Sequence, residues 1–141
     1  MFVQDRESAR RFFFDVWRKY KAGIPLEPME GVVSGVIIQH PEYHDFLENE
    51  GDAMIQEFSP ELGMSNPFLH MGMHISIREQ LGSDRPQGIN AIYRRLLAKF
   101  SSPHDLEHRM MECLGEVLWS AQRNHVLPDE SSYLDCLGKI G

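Results

Sequence analysis

The chain has little that would commit it to a familiar chemistry. Only two of its 141 residues are cysteine, Cys113 and Cys136. They are too few and too far apart for a disulfide framework, and no C-x-x-C exists, so two reduced thiols are expected. Positive charge is scarce: 14 Lys and Arg face 21 Asp and Glu, for a net charge of −7. A phosphate backbone would be repelled, and no basic stripe offsets the repulsion, which excludes nucleic acid as a partner. No apolar run approaches the roughly 20 residues needed to span a bilayer, which excludes a membrane span. The opening residues, MFVQDRESARR, mix acids and bases and lack an apolar core, so no secretory signal is expected. With reduced thiols, this points to a cytoplasmic location. A Gly-rich phosphate loop, a nucleophile elbow and an H-E-x-x-H pair are all missing, so no motif names a reaction.

What is present reads as helix. The length fits one domain, residues 1–141, with a real core. Residues 4–21 place Phe13, Trp17 and Tyr20 at helical spacing, with Arg10, Arg11, Arg18 and Lys19 expected in solvent. Residues 27–39 hold Val32, Val33, Val36, Ile37 and Ile38, for which a strand competes. A lone strand would have no partner, so helix is expected. Gly31 and Gly35, four apart, suggest close approach of another helix. Pro41 can open a third helix over 41–58, before a loop over 58–65. Further helices are expected over 67–81, 89–100, 103–124 and 128–137. Asn66 with Pro67 and Ser102 with Pro103 are the start signals. The fold class is all-α, a compact bundle of five to six helices.

The chemistry lies in the histidines. There are seven, and six form pairs four apart: His40/His44, His70/His74 and His104/His108. Random placement gives about 0.3 such pairs on a count of spacing matches. His70 and His74 share a helical stripe with Ile77 and Leu81, so two imidazoles sit on a face that favours burial. His108 and Glu112 put an imidazole and a carboxylate on one side of a later helix, with His104 one turn before. Helical metal sites are built from such residues projecting inward. His40 precedes a proline and reads as a cap, whereas His44 reads as a ligand. The expected metal ligands are therefore His70, His74, His104, His108, Glu112 and His44. Nitrogen and oxygen donors suit zinc or iron first, and manganese or nickel as well. Glu107 or Glu79 could orient an imidazole through its second nitrogen. Cys113 lies on an apolar stripe and reads as a small hydrophobe rather than a nucleophile.

The runs RRFFFDVWRKYKAG, HPEYH, NPFLHMGMHISIREQ and HDLEHRMMECLGEVLWSAQRN resemble a small proteobacterial family, a domain of unknown function whose members are His-rich and helical. The resemblance spans nearly the whole chain. It implies a bacterial cytoplasmic protein and carries no activity. The His-x-x-x-His and His-x-x-x-Glu spacings are also similar to those of hemerythrin-like metal-binding bundles, although the order of ligands differs. Two functions follow as expectations. One is a protein that binds a divalent metal ion, as a metal-dependent hydrolase or oxidoreductase. The other is a helical interaction or regulatory protein with structural histidines, acting as a homodimer or with a protein partner.

Overall fold

A computed structural model describes residues 6–51 and 66–140. Among these residues every regular element is helical and there is no strand. The α-helices are α1 (Arg6–Lys21), α2 (Pro28–Ile38), α3 (His44–Glu48), α4 (Pro67–Ser83), α5 (Ile89–Leu97), α6 (Pro103–Asn124) and α7 (Glu130–Gly138), with a 3-10 turn at Pro41–Tyr43. Seven described α-helices exceed the expected five to six. Each of the seven segments read as helical holds one of them, so only the bundle count is low. After Pro41, where a helix over 41–58 is expected, the chain makes a 3-10 turn and then the five-residue α3, and Asn49 leaves helical geometry at φ −111°, ψ 62°. The rest of that expected helix, and the expected loop over 58–65, lie outside the described residues. No described helix is long and apolar enough to cross a membrane.

The chain divides into two compact units, residues 1–72 and 73–141. In the first, α1 buries Phe13, Phe14, Val16 and Trp17, and α2 buries Val33, Val36 and Ile37. Phe68 lies against Phe13, Phe14 and Phe46, with ring centroids 5.7, 6.0 and 5.2 Å away. Burying one such side chain stabilises by about 1.5–3 kcal/mol. The β-branched run of α2 is helical, as expected, because its buried residues fall at helical rather than alternating spacing. Two expectations fail here. Arg10 is buried, not solvated, with its guanidinium 4.7 Å from the Phe68 ring centre. Its position explains this, since residues 10, 13, 14 and 17 share one helical stripe. Gly31 and Gly35 mark no close approach, since a Cβ at either would meet nothing within 4 Å among the described residues.

In the second unit Ile77 of α4, Ile89 and Leu96 of α5, Leu106 and Met110 of α6, and Leu137 of α7 form one fully buried cluster. The helix starts are those the sequence signals. Asn66 Oδ1 accepts from the backbone N–H groups of Phe68 and Leu69 at 2.9 and 3.2 Å. Ser102 Oγ accepts from the Asp105 N–H at 3.1 Å. The cysteines correct the sequence reading: Cys113 and Cys136 are joined as a disulfide, with Cα atoms 5.7 Å apart. Their distance along the chain concealed the pairing. The loop after α6 brings α7 back against it, and the two positions then face each other.

Candidate metal centre

Within the second unit three imidazoles lie near one another, and one of them meets a buried acid. His74 of α4 is fully buried, and its Nε2 lies 2.7 Å from Oε1 of Glu107 on α6, itself 1% exposed. Glu107 occupies the buried stripe of α6 with Met110, Met111 and Leu114, which is why a carboxylate is inside at all. Burial alone would raise its pKa. The hydrogen bonds from His74 and Tyr93, with the charge of Arg78, outweigh burial and hold it below the usual carboxylate value. An ionised carboxylate only accepts, so His74 donates through Nε2–H. Tyr93 of α5 donates its hydroxyl to Oε2 at 2.8 Å. Burial and then this carboxylate push the tyrosine pKa well above its ordinary value. Arg78 Nη1 is 3.5 Å from the same oxygen but half exposed, a weaker contact.

The first turns of α6 bring the other two rings. His104 and His108, both half-buried, have ring centroids 4.0 Å apart. They lie 5.5 and 5.2 Å from that of His74. Rings bound tetrahedrally to one ion at zinc–nitrogen length have centroids about 5 Å apart. Two of the three separations match that value, and the third is shorter. With Nε2–H given to Glu107, the lone pair of His74 is on Nδ1. A carboxylate holding one imidazole nitrogen while the other binds metal is a recurrent arrangement of zinc sites.

The remaining expected ligands have contacts of their own. Glu112 is on the exposed side of α6, where it pairs with Arg109 at 3.1 Å. In the first unit His44 Nε2–H donates to the Ile37 carbonyl at 2.9 Å, and its ring lies 4.5 Å from that of Trp17. His70 meets His40, with their Nε2 atoms 3.1 Å apart. On α4, then, His70 meets His40 and His74 meets Glu107. Glu79, the other acid considered as an orienting group, is exposed. Sequence reasoning missed Tyr93 and Arg78. Arg78 stands one turn beyond His74, a spacing that signals a shared partner, whereas nothing in the spacing marks Tyr93.

The profile of one protein family, described as "Domain of unknown function (DUF1841)", matches residues 5–139. The chain belongs to the DUF1841 family. That match covers every residue of the imidazole and carboxylate cluster, so in this member the cluster is part of the DUF1841 domain itself. No curated protein and no solved structure matches the chain.

Proposed function

We propose that this DUF1841 chain binds a divalent metal ion, zinc or iron, through His74, His104 and His108, with Glu107 orienting His74. The observation that carries this is the buried His74–Glu107 hydrogen bond of 2.7 Å beside two further imidazoles. A nitrogen-rich donor set suits these metals, and three protein ligands leave a coordination position open. Water at such a position is acidified towards neutrality, which supports a metal-dependent hydrolase as the activity.

The test is metal content of untagged protein. About one equivalent of metal is expected to depend on these residues, and to be lost in His74→Ala and in His108→Ala. Substoichiometric metal unaffected by both variants would overturn the proposal.

A second reading, a helical interaction protein, is favoured by a different observation. Trp119, Val126 and Leu127, at the end of α6 and just beyond it, are 61%, 62% and 88% exposed. Exposed apolar residues this close in sequence are a common mark of a protein contact. Under this reading a strong chelator leaves the melting temperature unchanged.

A further inference from the structure

The geometry of the first unit points to a second set of ligands: we infer that His40 and His70 bind a divalent metal ion through their Nε2 atoms. The inference rests on the metal-binding reading above and concerns two histidines that reading does not use.

His40 is fully buried, and its Nδ1 lies 2.7 Å from the carbonyl oxygen of Val36, one turn back in α2. A carbonyl only accepts, so Nδ1 carries the proton and Nε2 carries the lone pair. Stacking fixes the ring plane: Tyr43 lies 5.5 Å away at an interplanar angle of 9°. Metal-bound histidines are oriented in this way, with the non-coordinating nitrogen donating to a carbonyl or carboxylate. The lone pair points at Nε2 of His70, 3.1 Å away. Two imidazole nitrogens on one tetrahedral ion stand about 3.3 Å apart. The pair is therefore within a few tenths of an ångström of a chelating geometry. His70 is half-buried and gives the ion a way in.

Without metal, His70 donates its Nε2 proton to His40. On binding, His70 releases that proton and takes one at Nδ1. Both rings stay neutral, each offers one lone pair, and no net proton is released. His44 supplies a control: its Nε2–H is given to the Ile37 carbonyl, and its ring lies against Trp17, 4.5 Å between centroids, where His40 meets a second imidazole.

The test is a zinc titration of the full chain, ¹⁵N-labelled at histidine and followed by imidazole nitrogen resonances. Assignment uses His40→Gln and His70→Gln. The expected result is a shift of Nε2 of His40 and His70, none at His44, and a loss of zinc affinity of about tenfold or more in either variant. If His74, His104 and His108 respond while His40 and His70 stay unmoved, this inference is overturned and the proposed centre stands. If only His40 and His70 respond, this inference stands and the proposed centre fails. If no histidine responds, both fail.

Discussion

At the residue scale the decisive group is Glu107. A carboxylate 1% exposed is stable inside only because His74 and Tyr93 donate to it at 2.7 and 2.8 Å. Glu107→Leu keeps the apolar volume but strands both donors. The expected loss is about 1–3 kcal/mol for each stranded donor, read from urea unfolding. A Glu107→Leu protein as stable as the parent would mean that these groups find water, and that the cluster is looser than the structure shows. Asp84 carries a pH dependence of its own. Its backbone stands at φ 52°, and its carboxylate accepts from the N–H groups of Asn90 at 3.0 Å and Gly88 at 3.4 Å. These bonds lower its pKa below the usual carboxylate value. A depressed folded pKa gives stability that is present above the unfolded value, near 3.9 for aspartate, and is lost as pH falls through the folded value. Asp84→Asn keeps an acceptor and tolerates the left-handed backbone. Its single oxygen replaces only one of the two acceptors, so it should be less stable than the parent at neutral pH and lose less stability on acidification. Parallel acid limbs for the two proteins would remove Asp84 from the account.

At the element scale, the sequence made some features plain and hid others for physical reasons. Helix starts were legible because capping is local: Asn66 and Ser102 act within three residues of themselves. The α2 assignment was legible because its buried positions repeat at helical spacing. The early end of α3 was not, since nothing in HDFLENE announces that Asn49 leaves the helix. The imidazole cluster was half legible. Spacing put His104 and His108 on one side of α6, but it gave Glu112 the same standing as Glu107, and only packing separates the exposed acid from the buried one. His40 and His44 exchanged expected parts because the proline between them masks a 3-10 turn. That turn aims His40 at His70 and His44 at a carbonyl. The disulfide was invisible because it depends on how α7 returns to α6. It closes a loop with a sequence separation of 23 residues, for which chain entropy gives about 3 kcal/mol. Reduction should lower the urea midpoint accordingly. An identical midpoint with and without reductant would show that the two sulfurs are not joined in solution.

At the scale of the whole molecule, an acidic helical chain of net charge −7 carries imidazole groups in each of its two units. Each group has one ring anchored by an acceptor: His74 by the Glu107 carboxylate, and His40 by the Val36 carbonyl. That anchoring fixes which nitrogen carries the lone pair; since His44 is anchored to a carbonyl as well, what marks the two groups is the further imidazole beside each anchored ring. Binding to the folded state alone would couple metal to stability, with about 2.7 kcal/mol gained when free ion is one hundred times its dissociation constant. The most direct measurement is X-ray absorption at the metal edge of the purified, untagged chain. With one equivalent of metal bound, three imidazole nitrogens about 2.0–2.1 Å from the ion are expected, with fewer in His74→Ala. A shell of oxygen ligands alone, or imidazole scattering unchanged in that variant, would contradict this expectation.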